Sequence, residues 1–246
     1  MKADHFEQQK LLALADEDVA LTQLAHRRRT LPELAAVEAA AESERGFTEA
    51  EVRAETEVRD LDREQKRLEA DVDTVRQRAA RDRSRIDSGA ATPKEITSLQ
   101  SELQSLARRQ SDLEDQVLEL MERRETADAA LAAAQAGRSS AAADRERAEQ
   151  LRDDALADLT DATARHQATR DEVAAGLSAP LLSLYDRIRT QTGTTGAAML
   201  KARQCQGCRI ELGGRELAAV RNADPHEVVR CENCGRILVR TAESGL

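Results

Sequence analysis

From Ile96 onward, apolar side chains recur at alternating steps of three and four. Leu99, Leu106, Leu113, Leu120, Ala127 and Ala134 form one series, and Ile96, Leu103, Gln110, Val117, Arg124 and Leu131 its companion. A seam held for more than five heptads predicts a coiled coil, with Gln110 and Arg124 as polar positions that set register. Upstream the same steps run through Val58, Leu61, Gln65, Leu68, Val72, Val75, Ala79 and Ile86, with Asp82 the polar exception. Between the seams lies Asp87-Ser88-Gly89-Ala90-Ala91-Thr92-Pro93-Lys94-Glu95. Gly89 suits a helix end; Thr92 caps the next helix, with Pro93 at its first position and Glu95 as capping-box partner. The chain therefore folds back near 88–93, and the two seams pair antiparallel. Residue i then faces roughly residue 182 minus i, and arms of about 55 residues extend on the order of 80 Å.

That pairing sets Gly46 level with Gly137, and glycine within a helix costs about 1 kcal/mol against alanine. A bend or a frayed section is expected there. Between 138 and 150 the seam weakens, with Arg138, Ser139, Ser140 and Arg145 among alanines, before Leu151, Ala155, Leu156 and Leu159 resume it. The extension needs a partner, which the stripe Leu11, Leu14, Val19, Leu21 and Leu24 supplies. A first helix over about 3–30 is predicted to pack beside 150–175, ending in Arg27-Arg28-Arg29, with Pro32 forcing a kink or break. Ser178-Ala179-Pro180 opens a short helix from Leu181 to Arg189, and the Gly-Thr run 192–196 marks a domain boundary. The expected fold is mainly α. Residues 1–190 form a long antiparallel coiled-coil helical hairpin with an N-terminal packing helix, and a small second domain follows over 197–246.

Composition bears on this at two points. Aromatic residues are 1% and charged residues 34% of the chain, which suits either long helices or disorder. The heptads favour helices. No apolar run reaches the length of a membrane span, and the first ten residues lack an apolar signal segment, so a soluble, cytoplasmic, monomeric protein is expected.

All four cysteines lie near the end, as Cys205-Gln206-Gly207-Cys208 and Cys231-Glu232-Asn233-Cys234-Gly235. Each pair sets two sulfurs on one side of a tight loop, and two loops can close a tetrahedron around one zinc ion. Gly207 and Gly235 are expected to supply the positive φ such turns use. Two disulfides, a redox pair or an iron site of rubredoxin type are the alternatives. The first suits secretion, the second a single pair, and the third an aromatic-rich shell, whereas residues 190–246 hold no Phe, Tyr or Trp. A catalytic zinc would keep an open position with three protein ligands. Here four thiolates are available and His226, beside Pro225, is the only local imidazole, so neither an enzyme nor a small-molecule substrate is expected. Residues 197–246 are too few to build a self-sufficient apolar core, and a structural zinc supplies about 10–16 kcal/mol in peptides. Strands are predicted near 202–205, 209–212, 227–231 and 236–240, with a helix from Arg215 to Arg221. Ile210, Leu212, Leu217, Val220, Val228, Ile237 and Val239 are expected to cover the metal site.

A helical hairpin followed by a four-cysteine ribbon closing in Cys231-Glu232-Asn233-Cys234-Gly235-Arg236-Ile237-Leu238 resembles the bacterial zinc-ribbon and coiled-coil hairpin proteins, often described as nucleic-acid-binding. The resemblance spans nearly the whole chain; its specific part is the ribbon. It implies one structural zinc on Cys205, Cys208, Cys231 and Cys234. It also implies chaperone or adaptor roles, such as those of relatives in flagellar or type III secretion systems with contacts to an alternative sigma factor.

Net charge is −9, with eight Lys/Arg against six Asp/Glu in residues 197–246. Four thiolates on a divalent ion bring that segment near neutrality, and nucleic-acid binders usually show a concentrated basic footprint and aromatic platforms. The expected function is a non-enzymatic, zinc-binding interaction protein that engages protein partners of unknown identity through the hairpin and ribbon. The alternative is RNA or DNA binding through the basic hairpin tip (Arg76, Arg78, Arg81, Arg83, Arg85) and ribbon arginines such as Arg209 and Arg236. Arg203, Arg209, Arg215, Arg221, Arg230, Arg236 and Arg240 could line one face of the ribbon, but read first as scattered solubilising charge.

Overall fold

The computed structural model describes all 246 residues. Four helices come first: α1 (His5–Arg29), α2 (Pro32–Asp87), α3 (Pro93–Ala175) and α4 (Ala179–Thr192). The ribbon follows as β1 (Ala197–Lys201), β2 (Gln204–Cys205), α5 (Gly214–Asn222), β3 (Ile237–Val239) and a 3-10 turn at Ala242–Ser244. By internal contacts the chain divides into two compact units, residues 35–149 and residues 1–34 with 150–246.

The hairpin unit carries the predicted seams. Leu61, Leu68 and Val72 on α2 bury against Leu113, Leu120 and Ala127 on α3. The turn is built as its residues predict. Gly89 takes φ +69° at the end of α2; the Thr92 N–H donates to Glu95 Oε2 at 2.8 Å, and the Glu95 N–H donates to Thr92 Oγ1 at 3.4 Å. Near the turn, Arg85 reaches Glu95 and Arg78 reaches Glu102, close to the expected pairing. Farther out Arg138 meets Glu51 and Arg145 meets Glu44, both at 2.8 Å. Side chains on both helices lean toward their own N-termini, so the arginines of α3 and glutamates of α2 meet although the glutamates lie about two turns nearer the tip than the pairing rule gives.

At the Gly46/Gly137 level the expected fraying is absent. Both helices run unbroken through it, so no frayed section exists. Gly137 is instead a packing position, because a Cβ there would overlap the Phe47 ring.

In the other unit, Asp4 caps α1 by accepting from the Phe6 N–H at 2.8 Å. Arg27, Arg28 and Arg29 sit in its last turn, where they complement the helix dipole. The predicted break follows, with Pro32 opening α2. The buried face of α1 departs from the predicted stripe: it is Gln8, Leu11, Leu14, Ala15 and Asp18, while Val19 is exposed. Leu151, expected on the resumed seam of α3, is exposed as well.

The ribbon sheet has strand order β2-β1-β3, with β1 antiparallel to β2 and parallel to β3. Strand alternation splits it into two faces. Ala197, Ile237 and Val239 pack on Leu11, Leu14, Leu181, Tyr185 and Ile188 from α1 and α4. Ala198, Leu200 and Leu238 face the other way, onto Cys205, Cys231, Leu212 and Val220. Ile237 and Val239 therefore cover the helices rather than the sulfurs, and Ile210 is 48% exposed. The strands predicted at 209–212 and 227–231 reduce to isolated bridges, Gln204↔Glu211 and Arg230↔Ile237, whereas β1 lies outside the predicted set. The Gly-Thr run is tightly packed. Thr192 donates to the Thr195 carbonyl at 2.8 Å, and a Cβ on Gly196 would overlap the Tyr185 backbone.

Candidate metal centre

Two knuckles with matching backbone bonds present the cysteines. In the first, the Arg209 N–H donates to the Cys205 carbonyl at 2.7 Å and the Cys205 N–H to the Ile210 carbonyl at 3.0 Å. In the second, the Gly235 N–H donates to the Cys231 carbonyl and the Cys231 N–H to the Arg236 carbonyl, both at 2.9 Å. The residue after the second cysteine turns left-handed in each: Gly235 at φ +76° and Arg209 at φ +61°. The positive φ expected at Gly207 thus falls at Arg209, where a side chain makes it unfavourable. Gly207 serves close approach instead, since a Cβ there would stand 2.7 Å from Arg236 Cδ.

The four sulfurs converge. Cys205 Sγ lies 3.8 Å from Cys234 Sγ and Cys208 Sγ lies 3.9 Å from Cys231 Sγ; all four ligand atoms fall within 4.8 Å of one another. A tetrahedron of zinc–sulfur bonds near 2.3 Å has edges of about 3.8 Å, while a disulfide needs about 2.0 Å. The spacing fits four thiolates around one ion. Burial pushes the Cys205 thiol up to about 12 and raises Cys231 too. At Cys234 burial acts in the same sense, but it is outweighed by Arg236, through its backbone and side chain, and by the Cys231 and Cys205 thiols. Cys234 is therefore held down to about 7. A cation at the centre would favour the thiolate form of all four.

Other residues brace the knuckles. Glu216 on α5, itself buried, accepts from the Glu232 N–H at 2.9 Å. Arg240 donates to the carbonyls of Ala223, Asp224, Pro225 and Glu227 at 2.8 to 3.1 Å, tying down the segment between α5 and the second knuckle. It is a structural clamp, and its reading as scattered charge is corrected.

A buried polar cluster stands apart from the sulfurs. Asp18 is fully buried, accepts from the Tyr185 hydroxyl at 2.6 Å and Arg170 Nε at 2.8 Å, and forms an ion pair with Arg189 at 3.1 Å. Arg170 also donates to Asp186 at 2.9 Å. Burial together with the Asp18 carboxylate pushes the Tyr185 hydroxyl far above its ordinary range, so it stays protonated and donates. Burial opposes the charged form of Arg170, yet Asp18 and Asp186 prevail and raise it. The sequence signal was present: Leu11, Leu14, Ala15 and Asp18 follow one helical face, on which Asp18 is the polar member.

The predicted partner arginines differ in their surroundings. Arg76 pairs with Glu114 at 2.6 Å, Arg78 with Glu102, and Arg85 with Glu95 at 3.5 Å. Arg81 and Arg83 are exposed without an ion pair. Arg209 is exposed beside the first knuckle, whereas Arg236 is half-buried and donates to Thr194 and Thr195. Arg236 is thereby an internal brace rather than a partner contact.

Comparison with known proteins agrees with this architecture. Residues 14–193 match the CT398-like coiled coil hairpin domain, and residues 204–238 the C4-type zinc ribbon domain. The chain is 41% identical over 240 residues to the uncharacterized protein Rv2229c of Mycobacterium tuberculosis, covering 98% of each. A solved structure from Mycobacterium smegmatis aligns at TM-score 0.85 with 34% identity, over 98% of this chain and 100% of that one. CT398 from Chlamydia trachomatis aligns at 0.64 with 19% identity, over 95% and 97%, a likeness of fold. No helix is long and apolar enough to cross a membrane.

Proposed function

This chain belongs to the CT398-like coiled coil hairpin family, and on that premise we propose that it is a non-enzymatic adaptor whose hairpin engages protein partners. One zinc ion, held by Cys205, Cys208, Cys231 and Cys234, fixes the ribbon. The observation that carries the metal half is the convergence of four sulfurs within 4.8 Å. With all four positions filled by protein, the ion keeps no open site for a substrate and acts by holding the knuckles together. The adaptor half is supported by a hairpin with long helix faces open to a partner.

The competing reading is direct binding of RNA or DNA. It is weakened by the engagement of Arg76, Arg78 and Arg85 with carboxylates and of Arg236 with Thr194 and Thr195. Arg81 and Arg83 remain for it. Affinity purification of the full chain and gel shifts across a salt series separate the two. The adaptor reading expects a defined protein, recovered at physiological salt and identified by crosslinks on the hairpin. Nucleic-acid binding that weakens steeply with salt and is lost in Arg78→Glu/Arg81→Glu/Arg83→Glu would overturn it.

A further inference from the structure

The hairpin's middle exposes apolar side chains that its own seam does not cover. Leu118 is 60% exposed and Met121 43% exposed. Three residues apart on α3, they share one side of the helix. Leu118 lines a groove of about 470 Å³ between the helices, together with Val72 and Val117, and Met121 follows Leu118 along α3. Isolated apolar residues on a surface need no account, but a contiguous set beside a groove between two helices is the form of a helix-docking site.

Charge specifies the occupant. Glu114, Asp115 and Glu122 lie three or four residues from Leu118, and Glu122's neighbour on the same face, Glu125, lies four from Met121. Across the groove α2 contributes Glu69 and Asp73. Of the nearby cations, Arg76 is paired with Glu114 at 2.6 Å and Arg124 with Asp62 at 2.8 Å, while Lys66 and Arg123 stand without an ion pair and are outnumbered by Glu69, Asp73, Asp115, Glu122 and Glu125. The carboxylates that remain leave an apolar strip with a negative border.

We propose that this groove receives a basic amphipathic helix of a partner protein, its apolar face on Leu118, Met121, Val72 and Val117 and its lysines or arginines along the acidic border. The proposal rests on the adaptor reading and names the surface and partner chemistry it would use. A third helix laid there extends the knobs-into-holes packing of the seam, while the border charges steer its approach and orientation.

The probe is a fluorescein-labelled helical peptide of leucine and lysine, about five turns long, titrated into the full zinc-loaded protein near physiological salt and followed by anisotropy. Leu118→Ser/Met121→Ser should weaken binding about tenfold or more, because the side chains that the peptide would cover are removed. Glu122→Lys/Glu125→Lys should weaken it comparably, and Leu151→Ser, outside the hairpin unit, should leave it unchanged. A leucine–glutamate peptide should bind far more weakly. Because the substituted side chains are exposed, melting curves should match the parent; if the serine pair fails to fold, the lysine pair carries the test. Peptide affinity indifferent to Leu118→Ser/Met121→Ser would overturn the proposal as mere charge attraction. So would sedimentation showing a dimer that those substitutions dissolve, since a second copy would then be the occupant. A partner crosslinked elsewhere on the hairpin would leave the adaptor reading standing and still overturn this surface.

Discussion

In the hairpin, residues 35–149, buried side chains follow one another at heptad spacing, and Leu61, Leu68, Leu113 and Leu120 each repeat the contact before it. The unit of residues 1–34 and 150–246 is organised differently. Its contacts join distant positions: Tyr185 donates to Asp18 across 167 residues, and Arg170 across 152. A repeated seam spreads stability over many equivalent layers, so each layer is dispensable to a degree. Two separate centres, a carboxylate with its guanidiniums and a set of four thiols, are each concentrated, and the loss of either is felt well beyond it. The two units should therefore differ in how sharply they fail.

Metal removal tests that difference hardest. A chelator strong enough to strip zinc, or Cys231→Ser, should unfold the ribbon, since structural zinc contributes about 10–16 kcal/mol in comparable modules. Far-UV circular dichroism should meanwhile keep the hairpin's helical signal, and amide exchange should rise over 197–246 and over α1 and α4, which share its core, but not over the hairpin. Asp18→Ala comes next. It leaves the buried Tyr185 hydroxyl without its acceptor and Arg170 with Asp186 as its remaining partner, and breaking a buried pair typically costs about 3–5 kcal/mol. Urea unfolding, with exchange to assign the loss to α1, α4 and the end of α3, checks it.

Leu113→Ala, at a fully covered seam position, should cost about 2–4 kcal/mol and loosen the hairpin without altering zinc content. Thermal melts of the loaded protein, paired with zinc analysis, separate the two effects. The smallest change is a gain. Arg209→Gly removes a side chain from a left-handed position, the one Gly235 occupies in the other knuckle, and should stabilise the ribbon by about 1 kcal/mol. Slower zinc loss to a chelator would register it.

The same contrast explains what could be read in advance. The hairpin is governed by local signals: heptads, the Gly89 stop, and the Thr92–Glu95 box, all within a few residues of their effects. The cysteines are legible because CxxC spacing is itself local, and only the pairing of the two knuckles is distant. The sheet was harder. Strand β1 is Ala-Ala-Met-Leu-Lys, weak in strand-forming residues, and its parallel partner lies forty positions on. Its turn to β2 places Ala202 and Arg203 at φ +44° and +66°, a conformation that Asn-Gly would have announced. The tertiary bonds of the Ala202 and Arg203 N–H groups, to the Glu243 and Ser244 carbonyls, help hold that turn. Arg236 and Arg240 were hidden for a related reason, whereas Asp18 left a trace as the polar member of an apolar helix face. A charged residue on a helix or ribbon reads as solvated until the chain folds its partners around it. At Gly46 and Gly137 intrinsic propensity predicted weakness, and the Phe47 ring turned one of the two glycines into a packing requirement.

The central claim is a single zinc ion closing the ribbon through four sulfurs. Native mass spectrometry of the purified chain, combined with X-ray absorption at the zinc edge, tests it most directly. The account predicts one zinc per chain with four sulfur neighbours near 2.3 Å. A chain without zinc whose mass shows its cysteines joined as disulfides, or a zinc shell with nitrogen or oxygen in place of sulfur, would contradict it.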